Sequence, residues 1–353
     1  MMKNIIIIVL CIFITTGCTN RFNKETVTFS TWGSTSEIKI LNPIIEEFER
    51  KNPKINIELM HIPQNYFQKI HLLFASKLAP DVVFVNNLNI PVYANYLEPI
   101  TPSKAPYYHQ AIESLSCNGI LYAVPRDVST LIIYYNKDMF DKMNVPYPSP
   151  DWTIDELLET ANALTTDRVY GISYIEDLYY VIPYLSAFHE SIYPFDNVQN
   201  LKGLKFYKEL VTKHKVAPSE ANVGSKTLGQ MFLEESLAMH LSGRWLTPKY
   251  KESAKFRLGT VVFPAPVPCD ASGWAISKQS HHKKSAMKLI KFLSSKENIA
   301  KMTSSGLIIP ARIDVPFDDN TFKKSVKDST PISISPYYNR ALDVLNDNVF
   351  LNK

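Results

Sequence analysis

The chain has 353 residues, 45% of them hydrophobic and 20% charged, which is ordinary globular composition with material for more than one core, and its length suggests two lobes. A formal net charge of +4 is too small, and its lysines and arginines too dispersed, to argue for nucleic acid as a partner. Lys3 precedes ten uninterrupted apolar residues, 5 to 14. At the rise of a helix this run is too short to span a bilayer core, so residues 1 to 17 read as an export signal. Cys117 and Cys269 remain beyond the leader in a compartment that permits disulfides. They could pair, but two independent, partly buried thiols are the simpler reading.

Val27 to Phe29 begins an extended run that ends at Trp32-Gly33, and Ser34 to Glu37 has the spacing of a helix capping box. Ile38, Leu41, Ile45 and Phe48 recur with helical period, and Pro43 predicts a kink or a restart with Asn42 as cap. A strand follows at 55 to 62, then a helix carrying Phe67, Ile70, Leu73 and Phe74, then the apolar run Val82 to Val85. This βα alternation predicts an open, mostly parallel sheet with ligands beyond the carboxyl ends of its strands, at 32 to 37 and 86 to 89. The stretch 118 to 138 is the pivot. Asn118-Gly119 is a turn, 120 to 124 is extended and should end at Pro125, and 131 to 135 is apolar throughout, as in a strand buried on both faces. The polar step between them, Arg126 to Thr130, reads as the passage from one lobe to the other, with its side chains facing a cleft.

Asn136 can cap a helix through Met143, and Thr153 to Glu156 is a second capping box, opening a helix with Leu157, Leu158, Ala161 and Leu164 on one face. Strands are predicted at 169 to 173, 236 to 241 and 256 to 262, with helical patterns at 178 to 188 and 201 to 214 and a turn at Gly243-Arg244-Trp245. Pro264, Pro266 and Pro268 forbid a central strand or a helix there and mark a second crossing. Helices follow at 282 to 294 and 296 to 302, then a third joint near Pro310, and a polar tail with one helix at 339 to 345.

In this order the chain resembles the extracellular solute-binding proteins of ABC importers, in the sugar- and oligosaccharide-binding branch. The motifs that carry the resemblance are Phe48-Glu49-Arg50-Lys51-Asn52-Pro53, Pro80-Asp81-Val82, Asn118-Gly119 through Pro125, Tyr134-Tyr135-Asn136-Lys137-Asp138, Trp152 before its capped helix, Ala238-Met239 through Gly243-Arg244-Trp245, Gly273-Trp274 and Ile309-Pro310-Ala311. The resemblance implies a two-lobed periplasmic-binding-protein fold of α/β class that closes like a hinge on its solute. One lobe would comprise 27 to 127 and 263 to 310, the other 128 to 262 and 311 to 353. The partners implied are a small-molecule solute, most simply a sugar, and the permease subunits of the importer, served by a monomer without cofactor or metal. The family's C-terminal helices are longer than the segment around Asp343-Val344-Leu345 can make. Gly17-Cys18 also resembles a bacterial lipoprotein cleavage site, although Thr15 stands where a leucine-like residue is usual. It implies lipidation of Cys18, a tether at 18 to 26 and an extracytoplasmic, membrane-anchored protein.

A sugar offers apolar faces and paired hydroxyls, so its site needs aromatic planes and carboxylate or amide groups. Trp32, Trp245, Gly273 and Trp274 lie at predicted strand ends or turns, while Trp152 reads as packing before a cap. Glu37 matches an acidic ligand position of related sugar binders, yet its capping role also explains it. Asn86 and Asn87 are strand-end amides, and Asp127 and Ser129 lie in the joint. Arg126, Arg244 and Arg312 are hinge-surface residues or, if two face the cleft, a reason to expect an anionic solute. No nucleophile elbow, phosphate loop, His-Glu-x-x-His or Cys-x-x-Cys points to an enzyme. Carboxylate pairs have no fixed spacing, which leaves a glycoside-acting enzyme open beside a non-transporting surface protein or a paralogue that binds nothing.

Overall fold

The computed structural model describes residues 24–101, 105–192, 197–332 and 338–350. The leader, Cys18 and most of the tether lie outside the described residues. Among the described residues no helix is long and apolar enough to cross a membrane.

The first sheet starts with β1 (Glu25–Thr31), β2 (Ile55–His61) and β3 (Val82–Asn86). After a small hairpin, β4 (Ser116–Cys117) and β5 (Ile120–Leu121), comes β6 (Val124–Ser129). The chain then builds a second sheet from β7 (Leu131–Asn136), β8 (Tyr170–Ile172), β9 (Leu237–Gly243) and β10 (Leu258–Val261). It returns to the first with β11 (Pro268–Ile276), β12 (Ile309–Pro310) and β13 (Thr330–Pro331). The seven-stranded sheet has the order β12-β6-β11-β3-β1-β2 with β13 on β11, and the four-stranded sheet the order β10-β7-β9-β8. Thr130 alone separates β6 from β7, the prolines at 264 and 266 lie at the return, and beyond β12 the helix Asn320–Asp328 packs on β7. Pro268 is itself the first residue of the central strand β11, a position that needs no N–H from it.

The strand directions are mixed, where the sequence suggested mostly parallel sheets. β1 runs parallel to β2 and β3, and β8 to β9, but β11 is antiparallel to β3 and β6, and β7 to β9 and β10. β7 shows why the inference slipped. Leu131, Ile133 and Tyr135 enter one core while Ile132 and Tyr134 enter the other, so the strand is apolar throughout whichever way its neighbours run.

β6 does not stop at Pro125. It starts at Val124 and runs through the proline, because its pairing with β11 shifts register there: Ser272 opposes Asp127, Gly273 opposes Pro125, and Arg126 is the extra residue. Such a bulge tolerates a residue with no N–H to donate. Gly273 closes the bulge, since a Cβ there would lie 2.3 Å from the Val124 carbonyl oxygen. Gly273→Ala is expected to lower stability by about 1–3 kcal/mol in urea unfolding; an unchanged midpoint would mean that the strands part freely here.

The helix Thr35–Lys51 likewise runs unbroken through Pro43, which faces solvent, because buried Leu41, Ile44, Ile45 and Phe48 hold both halves on the sheet. The box at Thr153 forms as expected and opens the helix Ile154–Leu164. The helix Asn320–Asp328, in a tail read as polar, is capped by Asp319, which accepts from the Phe322 N–H at 3.2 Å. Cys117 and Cys269 are both free thiols.

Candidate functional site

A cleft of about 850 Å³ opens between the two sheets. On the side of the first sheet it is lined by Trp32, Glu37, Asn86, Arg126, Asp127 and Ser129, and on that of the second by Arg244 and Trp245, all expected from the sequence. Asn86 ends β3, where its side chain accepts from the Asn89 N–H at 3.2 Å and turns the chain along the rim.

Arg126 is the hub of the floor. Its Nη1 donates to Glu37 Oε1 at 2.8 Å, while Nε and Nη2 donate to the two oxygens of Asp127 at 3.1 and 3.2 Å. The Ser272 hydroxyl donates to Asp127 as well. All three charged side chains are nearly inaccessible, at 8% for Arg126, 6% for Glu37 and 7% for Asp127. The guanidinium carbon sits 4.6 Å from the centre of the Phe84 ring. Burial alone would depress the Arg126 pKa, but the Asp127 and Glu37 carboxylates outweigh it and hold it above the ordinary value. Burial pushes Glu37 up while Arg126 pulls it back. Only half of the expected capping box therefore forms: Ser34 accepts from the Glu37 N–H at 3.2 Å, but the Glu37 carboxylate goes to Arg126. Gly33, at φ +115°, makes room, since a Cβ there would collide with that carboxylate.

Aromatic planes flank the floor. Trp32 is 41% exposed and stacks on Phe84 at 5.9 Å with a 24° interplanar angle. Trp245 folds its ring against Gly243, where a Cβ would meet it at 1.9 Å. Arg244 joins the lobes beside it: Nη1 donates to Asp319 at 3.0 Å and Nη2 to the Thr303 carbonyl at 3.2 Å, with the Phe317 ring 4.5 Å away. Burial lowers the Arg244 pKa, against the pull of Asp319. A further bridge spans the mouth of the cleft, where Ser36 and Lys39 both donate to Glu252, at 3.0 and 3.4 Å.

Other expected residues fall outside the lining. Trp274 is 1% exposed and lies beneath Arg126, 6.0 Å from its guanidinium, so it supports the floor without facing the cavity. Gly273 serves the bulge. Asn87 is wholly buried with neither amide atom hydrogen-bonded. Arg312 turns away to clasp Asp314 at 2.9 and 2.8 Å and the Ser294 carbonyl at 3.3 Å.

Sequence reasoning missed Asp270 and Ser272 on the floor, and Asp177, Tyr179, Tyr180 and Lys249 on the far wall. Asp270 and Ser272 alternate along β11, a period-2 signal that was readable once 268 to 276 was taken as one strand. Asp177 caps the helix Leu178–Ala187 by accepting from the Tyr179 N–H at 2.8 Å, which sets both tyrosines at its first turn; the Tyr179 hydroxyl reaches the Ser129 carbonyl at 3.4 Å.

With the geometry in hand, comparison with known proteins assigns the family. The family described as "Bacterial extracellular solute-binding protein" matches residues 43–328, well over half of the chain. The multiple sugar-binding protein of Streptococcus mutans is 24% identical over 302 residues, covering 74% of this chain and 69% of its own. An ABC substrate-binding protein of Listeria monocytogenes, solved with cycloalternan, superposes with a TM-score of 0.82 at 23% identity, covering 92% of this chain and 94% of that one. The GacH receptor of Streptomyces glaucescens, solved unliganded and with acarbose, gives 0.81 at 22% identity over 93% and 94%. Two sheets, a chain that crosses between them beside a cleft lined by charged and aromatic side chains, and the family match together place this chain among the bacterial extracellular solute-binding proteins.

Proposed function

We propose that the chain captures a neutral sugar or oligosaccharide by closing its lobes, 27–127 with 263–310 and 128–262 with 311–353, and hands it to the permease subunits of an ABC importer. The observation that carries this reading is the state of the arginines. Those that reach the cleft, Arg126 and Arg244, are already bonded to carboxylates, and Arg312 points elsewhere. Glu37, Asp127, Asp177, Asp270 and Glu252 line the same space, five carboxyl groups against the cations Arg126, Arg244 and Lys249, so an anionic solute would meet net repulsion where a polyol finds acceptors between aromatic planes. The names of the relatives above, with a multiple sugar-binding protein, cycloalternan and acarbose among them, support the same class. Anchoring through a lipidated Cys18 outside the cytoplasm belongs to this reading on the strength of the leader sequence and the family description, and action as a monomer is part of the same proposal.

Thermal melts with neutral oligosaccharides against phosphate- and carboxylate-bearing sugars test it. A micromolar ligand at a hundredfold excess over its Kd is expected to add about 2.7 kcal/mol, a shift of several degrees. Trp245→Ala should weaken the responding sugar at least roughly tenfold, since stacking and burial of one tryptophan are worth more than about 1.4 kcal/mol. Stabilisation by the anionic sugars alone would sink the neutral reading.

A further inference from the structure

The floor of the cleft holds a carboxyl with one oxygen, Asp270 Oδ1, that no group of the protein satisfies. Asp270 stands on β11 opposite Ser129 of β6, and Ser272 stands opposite Asp127. Strand alternation sets these side chains on one face, and all of them border the cleft. Asp127 is held by Arg126 and Ser272. Asp270 is held on one side only: the Ser129 hydroxyl bonds to its carboxyl, but its Oδ1 is shut away from solvent with no hydrogen-bond partner, although the residue as a whole is half-buried at the cavity edge. The nearby arginines are engaged, Arg126 with Glu37 and Asp127, and Arg244 with Asp319, while Lys249 borders the cavity from the far wall and does not hydrogen-bond Asp270 Oδ1. A carboxylate oxygen without a donor is costly to bury, so this corner is incomplete until something in the cleft supplies a hydrogen to Oδ1.

Building on the sugar reading above, we propose that Asp270 is the solute-reading carboxyl of the floor, accepting a hydrogen bond from a hydroxyl of the bound sugar. Its surroundings make that contact sensitive to pH. Asp127 and Ser129 face it from β6, with Arg126 behind Asp127; Tyr180 faces it from the helix Leu178–Ala187, with Asp177 at the start of that helix; Cys269 and Ser272 flank it on its own strand, and Arg244 and Lys249 border the same cavity. Burial, with the Asp127 charge adding to it and the Ser129 hydrogen bond opposing it, pushes the Asp270 carboxyl up to about 7. The ionised form is the better acceptor, so the sugar favours it, and affinity rises with pH across neutrality and levels above it.

Calorimetry with maltotriose at pH 5.5 and pH 8 tests the proposal. The wild type is expected to bind on the order of tenfold tighter at pH 8. Asp270→Asn should bind more weakly at pH 8 and show no such dependence. Equal wild-type affinity at both values, or the full dependence persisting in the variant, overturns the proposal. A second arm needs no sugar. A carboxyl raised in the folded state stabilises below its unfolded pKa and loses that contribution as pH rises through its folded one. Asp270→Asn should therefore melt higher than the wild type at pH 8, with the gap closing toward pH 4.5. If maltotriose gives no binding heat at all, the sugar reading suffers and these melts alone decide: a gap independent of pH refutes the role given to Asp270.

Discussion

Arg126→Met is expected to lower the unfolding free energy by about 3–5 kcal/mol, among the largest losses any single change in the cleft would produce. The variant leaves Glu37 and Asp127 buried and facing each other, with the 2.8, 3.1 and 3.2 Å hydrogen bonds that compensated them gone. The cost is that of uncovered charge, since methionine fills most of the space against Phe84 and Trp274. Two comparisons separate this from a packing defect. Neutralising the partners as well, in Glu37→Gln/Arg126→Met/Asp127→Asn, should recover more than half of the loss, whereas a cavity would remain in the triple variant. The deficit should also shrink between pH 8 and pH 5, because Glu37, which burial already pushes up, loses the guanidinium that pulls it back and takes a proton more readily. Urea unfolding at both pH values reads both effects. A single variant within about 1 kcal/mol of wild type would show that water reaches the cluster and pairs its charges cheaply.

The same cluster shows how far the sequence could be read. Residues 126 to 130 announced themselves as polar between two extended runs, and that sufficed to put Arg126, Asp127 and Ser129 in the cleft. Which arginine would be free to meet a solute was not readable, because it depends on partners far away in the chain: Glu37 for Arg126, Asp319 for Arg244. Tryptophans divided for a related reason. Trp245 sits past the end of β9 and reaches the cavity, whereas Trp274 lies inside β11, where the bulge at Arg126 decides the local pairing and no motif predicts a bulge. Helices were the plainest part, since their caps and apolar faces are local; the helix Asn320–Asp328 escaped because only Phe322 and Ser325 are buried on it. Asp270 escaped because its meaning lies in one oxygen, Oδ1, that the fold leaves without a donor.

His240 should make the second lobe acid-labile. It sits on β9 opposite Tyr134, 3% exposed, with its Nδ1 on the Tyr250 hydroxyl and the rings of Phe232 and Tyr250 around it. Burial, helped by Lys249, lowers its pKa to about 3. The folded chain thus refuses a proton that the unfolded chain accepts near pH 6.5, so the contribution is full above 6.5 and is lost as pH falls toward 3. Between pH 7 and pH 4 the loss is on the order of 3 kcal/mol from this one residue. His240→Phe removes the titration but leaves the Tyr250 hydroxyl unpartnered, which costs about 1–3 kcal/mol at neutral pH. Its stability curve should therefore start below the wild type at pH 7.5 and fall less steeply, meeting or crossing it near pH 4. Carboxylates titrate in both proteins, so the difference between the curves isolates the histidine. The consequence reaches the cleft, because Tyr250 lies on the helix Thr247–Ser253, which also carries Lys249 and Glu252 to the cavity wall. Parallel curves from pH 7.5 to pH 4 would mean that water enters beside His240 and lets it ionise in place.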